Sequence, residues 1–303
     1  MIEIVHAGLC DLVMDLGRPG CGALGVPRGG AADPAALAAA NRLVGNDVTA
    51  AGLEITLSGP VLRFPAGGMV ALTGACFAAV RSSGAAVAWN ETLVLAAGET
   101  LSLGAAQAGC RCWLAVRGGL AVAPVMDSRS TLLPAGFGGH QGRALRSGDT
   151  LGWTPAAGEI RLLRAHPPAE PPNGIVRVLA GPQTAWFDDA GLAAFFVCRY
   201  RVDPVSDRRG LRLHGAAATH ARVELASQGV LPGAVQVPPD GQPIIVGWDG
   251  PVTGGYPVIA GVVSADLPKL AQLRPGDTLG FVTIEREAAR ALAAGQWDIE
   301  DIA

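Results

Sequence analysis

One lysine, Lys269, stands among 22 arginines in this 303-residue chain. Lysine and arginine are nearly interchangeable at a plain surface site. They differ where a compact ammonium, or an amine able to lose its proton, is needed. Lys269 lies in Ala265-Asp-Leu-Pro-Lys-Leu-Ala-Gln-Leu273, shortly after the glycine-rich stretch Asp249-Gly-Pro-Val-Thr-Gly-Gly-Tyr-Pro257. A carboxylate (Asp249), a hydroxyl (Thr253), two glycines (Gly254 and Gly255), Tyr256 and a lysine thus fall close together in sequence. Carboxylate and ammonium together can polarise an amide carbonyl and move its proton. The competing reading is a lysine that escaped a compositional drift towards arginine.

Other segments carry weaker signals. The loops Asp15-Leu-Gly-Arg-Pro-Gly20 and Leu24-Gly-Val-Pro-Arg-Gly-Gly-Ala-Ala-Asp33 are dense in Gly and Pro, so backbone amides can approach a ligand closely. Arg18 and Asp33 are their members best suited to contact a substrate, although Asp33 is fully explained as a helix cap. Thr73-Gly74-Ala75 offers a hydroxyl and a backbone amide at a strand end, suited to a carbonyl or carboxylate, or else a plain turn. Asp127-Ser-Arg-Ser-Thr131 gathers hydroxyls around Arg129, a candidate anion contact whose competitor is a solvated turn.

These residues need a scaffold, and the sequence indicates a mainly β one. A nine-residue pattern recurs as Leu95-Ala-Ala-Gly-Glu-Thr-Leu-Ser-Leu103, Leu145-Arg-Ser-Gly-Asp-Thr-Leu-Gly-Trp153 and Leu273-Arg-Pro-Gly-Asp-Thr-Leu-Gly-Phe281. Each reads as a tight turn feeding a strand of alternating apolar residues. The echoes flank the proline-rich segment Ala165-His-Pro-Pro-Ala-Glu-Pro-Pro-Asn173, a stiff connector. The boundary falls there, giving two β-rich subdomains at 1–167 and 168–303, the second with a C-terminal helix. Helices are few: residues 35–44 capped by Asp33-Pro34, a weaker one at 184–196, a short one at 266–273 capped by Asp266, and one at 285–294. An all-β core of barrels with accessory helices is the natural architecture.

Bulk composition excludes several classes. The net charge of −3 advertises no nucleic-acid or anionic-membrane surface. No apolar run approaches a membrane span, and Glu3, Asp11 and Asp15 interrupt any signal peptide. The six cysteines form no CxxC and complete no zinc site, so no metal and a cytoplasmic, reducing location are expected. No Gly-Lys-Ser/Thr motif for phosphate occurs.

Ten blocks in order make the chain recognisable. They are Asp15-Leu-Gly-Arg-Pro-Gly20, Gly25-Val-Pro27, Ala40-Asn-Arg-Leu-Val-Gly-Asn46, Leu53-Glu-Ile-Thr-Leu-Ser-Gly-Pro60, Leu72-Thr-Gly-Ala75, Ser128-Arg-Ser-Thr131, Gly142-Arg-Ala-Leu145, Asp207-Arg-Arg-Gly210, Thr253-Gly-Gly-Tyr-Pro257 and the Lys269 block. The chain resembles the family of the 5-oxoprolinase C subunit, also called the biotin-dependent carboxyltransferase A/B-subdomain or allophanate-hydrolase-subunit-2-like family. The resemblance implies two cyclophilin-like β-barrel subdomains. It implies partner chains of subunit-B type (the C/D subdomains) and subunit-A type. With them, such members open 5-oxo-L-proline to glutamate using ATP, which the complex uses and this chain alone does not bind. Carboxyltransferase relatives instead pass a carboxyl group from carboxybiotin to urea nitrogen. A third kind of relative binds a subunit-B-like inhibitor without catalysis.

Both chemistries act on an N–C=O group. The site would use Lys269 and Asp249 on the amide, with Asn41, Thr73 and the turn 253–256 positioning it. No Met-Lys-Met attachment site is present, so biotin enters only under the carboxyltransferase alternative, on a separate carrier. Two departures bear on the substrate. Cys76 follows Thr-Gly-Ala where the family usually has Asp, and Pro251-Val252 stands where many members have Gln-Thr.

Overall fold

The three echoes share one physical device. Gly98, Gly148 and Gly276 all take positive φ, at 79°, 90° and 91°. The acid that follows each glycine closes the turn by accepting a backbone N–H three residues back. Glu99 Oε2 accepts from Ala96 N at 2.8 Å, Asp149 Oδ2 from Arg146 N at 2.7 Å, and Asp277 Oδ2 from Arg274 N at 2.7 Å. Glycine supplies the left-handed backbone and the carboxylate satisfies the otherwise orphaned donor. Each turn then feeds a strand, at Glu99–Ala106, Thr150–Leu151 and Thr278–Thr283.

The computed structural model describes residues 1–302 except 155, 157, 160, 168–173, 221–224 and 293–296. The chain divides into two units. The first comprises Met1–Arg18, Gly29–Pro168 and Gly295–Ala303, and the second Pro19–Arg28 and Ala169–Ala294. This division differs from the single cut expected between 167 and 168 in two short segments. The reason is long-range pairing that leaves no local mark. The terminal segment is a strand that pairs antiparallel with Leu163–His166, matching Leu163 to Asp301 and His166 to Asp298. In the second unit Arg28 stacks its guanidinium over Trp248 at 5.6 Å. Most of the proline-rich connector, 168–173, lies outside the described residues.

In the first unit the strands are β1 (Ile2–His6), β2 (Cys10–Met14), β3 (Gly52–Thr56), β4 (Val61–Phe64), β5 (Gly68–Gly74), β6 (Phe77–Arg81), β7 (Thr92–Leu95), β8 (Glu99–Ala106), β9 (Arg111–Val116), β10 (Thr150–Leu151) and β11 (Leu163–His166). Two five-stranded sheets, β10-β1-β4-β8-β6 and β2-β3-β9-β5-β7, enclose one core. Alternation decides what faces in. Ile55, Cys112, Leu53 and Leu114 point to that core, while Glu54, Trp113 and Thr73, in register with one another, point to the opposite face. Helix α1 (Pro34–Leu43) starts at the expected cap, where Asp33 Oδ1 accepts from Ala36 N at 2.9 Å.

In the second unit the strands are β12 (Ile175–Ala180), β13 (Tyr200–Val202), β14 (Gly210–His214), β15 (Gln228–Gly229), β16 (Ala234–Gln236), β17 (Ile244–Val246), β18 (Thr253–Gly254), β19 (Val258–Val262) and β20 (Thr278–Thr283). Seven of them close into a barrel in the order β12-β19-β16-β17-β14-β13-β20, and β15 pairs with β18 as a separate ribbon. Aromatic side chains fill the barrel. Phe195 stacks on Phe281 with centroids 4.4 Å apart, and Tyr200 packs beside both. The mainly β expectation with few helices holds, and of the two barrels the resemblance implies the second unit closes into one, while the first is built of two five-stranded sheets.

Two helices differ in detail. The segment 184–196 splits into a 3-10 turn (Thr184–Trp186) and α2 (Asp189–Val197), because Asp188 caps a new start by accepting from Gly191 N. Helix α3 (Leu267–Gln272) is not capped by the Asp266 side chain, whose carboxylate is spent elsewhere, as described below. The last helix, α4, covers Arg286–Ala291, and residues 293–294 of the expected span lie outside the described residues. Strand β21 (Asp298–Asp301) ends the chain's order of elements. No helix among the described residues is long and apolar enough to cross a membrane, and no disulfide joins the six cysteines.

Candidate functional site

In the second unit, each of the two residues expected to act together has its own partner. Asp249 is buried and forms a two-pronged ion pair with Arg208, Nε to Oδ2 at 2.8 Å and Nη2 to Oδ1 at 3.0 Å. Backbone bonds tighten the same clasp: Gly247 N donates to Arg209 O and Asp249 N to Arg208 O. Any Cβ on Gly247 would come within 2.2 Å of Arg208 O, so glycine is required by close approach. The Asp-Arg-Arg-Gly and Gly-Trp-Asp-Gly segments are thus two halves of one clasp. Arg208 is buried within it, whereas Arg209 is exposed and pairs with Asp207.

Lys269 instead joins Asp266. Its Nζ lies 2.9 Å from Asp266 Oδ2 and donates to Ile175 O at 3.1 Å. Arg177 completes the cluster, with Nη2 2.5 Å from Asp266 Oδ1 and its own backbone N–H 2.7 Å from Oδ2. Burial pushes the Asp266 carboxyl up, but the Arg177 guanidinium, the Arg177 N–H and the Lys269 ammonium outweigh it and hold the pKa below the usual carboxylate range. Lys269 and Asp249, expected to act together on an amide, thus stand in two separate ion pairs, Lys269–Asp266 and Arg208–Asp249.

The turn 253–256 is at the surface. Thr253, Gly255 and Tyr256 are exposed, and β18 pairs with β15 so that Gln228 faces Gly254. Three glutamines that sequence reasoning missed converge here. Gln183 and Gln228 join their side-chain amides by reciprocal bonds, both 3.2 Å, and Gln183 Oε1 also accepts from Val258 N at 3.0 Å. Gln236 is the third. No motif marked them. Gln236 ends β16, Gln228 begins β15, and Gln183 lies in the loop after β12.

In the first unit, Arg18 is buried, donates from Nη2 to Ser130 O at 2.5 Å, and lies 5.0 Å above the Phe137 ring. The hydroxyls expected around Arg129 turn the other way. Ser128 and Ser130 donate to Asp15 Oδ1 at 2.6 and 2.5 Å, and Arg129 N donates to Asp15 Oδ2 at 2.5 Å. Asp15 also accepts from Gly17 N. The anion this cluster binds is the chain's own carboxylate. Arg129 itself is exposed, with Nε on Val122 O.

Thr73 and Ala75 are likewise occupied. Thr73 Oγ1 donates to Ala36 O at 2.8 Å, fastening α1 to the sheet, and Ala75 N donates to Arg111 O. The expectation of an unused hydroxyl and amide there is corrected, because strand-to-helix packing uses both. Gly74 takes φ 84°, and a Cβ would strike the Trp113 ring at 2.7 Å. Asn41 is buried and closes its own loop, donating to Ala50 O and accepting from Asn46 Nδ2.

Asp33 has a second neighbour. Glu54 is buried on the same face of the sheet, accepts from Ala32 N at 2.8 Å, and receives the Trp113 indole N–H at 3.3 Å. Burial pushes the Asp33 carboxyl up. The Ala36 and Ala35 N–H groups oppose this, the Glu54 charge adds to it, and the result is about 6. A raised folded-state pKa means the native protein keeps this proton when the unfolded chain, at 3.8, has lost it. Stability therefore falls as pH rises from 3.8 to 6, and the full penalty stands above 6. Asparagine caps a helix as well as aspartate does. Asp33→Asn is expected to stabilise the chain at pH 8 by up to about 3 kcal/mol, from about two units at 1.36 kcal/mol each, and hardly at pH 4. Urea midpoints at the two pH values check this; an equal gain at both would refute the buried-charge account.

The fold and its clasped Gly-rich turns are those of a two-unit β protein, one unit a closed barrel. The fold matches the solved urea amidolyase of K. lactis with TM-score 0.86 at 31% identity, covering 95% of this chain and 19% of that one. The chain belongs to the family described as carboxyltransferase domain, subdomain A and B, which matches residues 24–283. It is 40% identical over 298 residues to the C subunit of Escherichia coli 5-oxoprolinase, covering 95% of this chain and 93% of that one. It is 32% identical to urea amidolyase of Saccharomyces cerevisiae over 97% of this chain, but spans 17% of that much longer protein.

Proposed function

We propose that this chain is a subunit of an ATP-dependent 5-oxoprolinase, acting with subunit-A-type and subunit-B-type partners in the cytoplasm to open 5-oxo-L-proline to glutamate. The carrying observation is its near end-to-end match with the 5-oxoprolinase C subunit, against a match to only a short part of urea amidolyase. The sequence has no Gly-Lys-Ser/Thr motif, which is consistent with ATP being handled by partner chains.

In this reading the substrate amide is met at the exposed turn 253–256 of the barrel unit. Asp249 and Lys269 act there as positioning residues. Asp249 fixes the approach to the turn through Arg208, and Lys269 fixes α3 through Asp266. Arg129, exposed in the first unit, remains a candidate anion contact of that unit. Arg18, Asp33, Asn41, Thr73, Gly74 and Ala75 build the frame of the first unit.

A carboxyltransferase role is the second reading, favoured by the family description and by the urea amidolyase matches. Biotin would then arrive on another chain, since the one lysine is already paired with Asp266. Mixing the three purified subunits with 5-oxo-L-proline and ATP separates the two. Glutamate formation that requires all three chains is expected. A stable complex that forms no glutamate would rule the first reading out.

A further inference from the structure

Gln236 ends strand β16 and is 5% exposed. Its amide nitrogen is buried and makes no hydrogen bond. Buried polar groups are nearly always paired, so a buried amide nitrogen left unspent requires an explanation.

The surroundings are built for it. A Cβ on Gly254 would lie 2.5 Å from Gln236 Nε2. Gly254 does not have positive φ, so its backbone does not demand glycine. The amide lies directly beneath the turn, so a Cβ at 254 would have to displace it. Gln228 faces Gly254 across the β15–β18 ribbon, and Gln183 holds the N–H of Val258, the residue paired with Gln236 across β16 and β19. Gln183 and Gln228 already display the geometry at issue, two primary amides joined by two opposed hydrogen bonds.

We infer that Gln236 is the recognition residue for a small cis-amide, whose N–H and C=O lie on one side and complete the same double hydrogen bond. A lactam or urea has that arrangement, and a trans amide cannot offer both groups to one partner. The ligand reaches Gln236 past the exposed turn 253–256, held by only two-residue strands. The choice of lactam as ligand rests on the function proposed above, whereas the cis-amide geometry does not.

The test uses the full chain labelled with ¹⁵N and observes side-chain amides by NMR. The Gln236 pair is identified by its disappearance in Gln236→Met. Titration with 5-oxo-L-proline and with urea is expected to move that pair saturably, and N-methylacetamide, a trans amide, to leave it in place. Gln236→Met should weaken binding at least tenfold, read on the Gln183 and Gln228 resonances, while thermal stability stays level or rises because no protein hydrogen bond is lost. Gly254→Ala should abolish binding by displacing the amide. If neither cis-amide moves the Gln236 pair, or Gln236→Met binds with unchanged affinity, the inference fails. Movement with urea but not 5-oxo-L-proline keeps the site and removes the 5-oxoprolinase reading. Glutamate formation with unchanged KM in a complex carrying Gln236→Met does the reverse.

Discussion

Asp266→Ala is expected to destabilise the chain by about 3–5 kcal/mol, the usual loss when one partner of a buried ion pair is removed. The carboxylate is fully buried and serves three donors at once: the Arg177 guanidinium, the Arg177 backbone N–H and the Lys269 ammonium. It thereby ties the barrel strand β12 to helix α3. Without it, two cations face each other with no anion between them, and a strand N–H loses its acceptor. Lys269→Met should cost far less, about 1 kcal/mol or below, because its side chain is 22% exposed and Arg177 still neutralises the carboxylate. The pH dependence has a definite sign. Asp266 has a depressed folded-state pKa, so its contribution is present above the unfolded value of 3.8 and fades as pH falls through the folded value. Urea unfolding of wild type, Asp266→Ala and Lys269→Met at pH 7 and again below pH 4 checks all three statements. Equal losses for the two variants at pH 7 would show that Lys269 is the hub instead.

That reversal of roles shows where the sequence is legible. Short-range chemistry came through. The Asp33-Pro34 helix start holds as an N-cap, and the Gly-Asp and Gly-Glu echoes are turns closed by the acid itself. Each of these depends on atoms three residues apart, which a pattern can encode. Partners far along the chain did not come through. Asp249 stands 41 residues from Arg208, Asp266 stands 89 from Arg177, and Asp15 stands 113 from Ser128. Proximity in sequence suggested that Lys269 belonged with Asp249, but a closed barrel sets neighbours by strand order, and the adjacent acid took the lysine. Gly74 and Gly247 make room for the chain's own Trp113 and Arg208, partners equally far along the chain. Gln236 was invisible because nothing about a lone glutamine in sequence tells whether its amide will find a partner.

The same logic applied to the first unit gives the other large effect. Asp15→Ala is expected to lose at least about 3 kcal/mol, since each buried donor left unsatisfied costs about 1–3 kcal/mol and Asp15 serves four. Those donors are Ser128 Oγ, Ser130 Oγ, Arg129 N and Gly17 N. Three of them belong to one loop, which runs beside β2 through Thr131 bonding to Val13 O. The carboxylate thus sets the position of Ser130, whose carbonyl in turn holds the buried Arg18 guanidinium. A cluster that looked in sequence like a receptor for an external anion supplies its own anion instead, and this makes the two accounts separable. If the hydroxyls serve the fold, Asp15→Ala lowers the urea midpoint sharply, and added sulfate or phosphate restores little, because the loop has to be rebuilt around a buried group of fixed shape. If they serve a ligand, stability hardly changes and anions bind more tightly once the competing carboxylate is gone. Midpoints measured with and without 50 mM sulfate, at matched ionic strength of about 0.15 M, distinguish these, since general screening acts equally on both samples. The geometry supports the first: all of the bonds to Asp15 lie between 2.5 and 2.8 Å, and its two serine partners are fully buried.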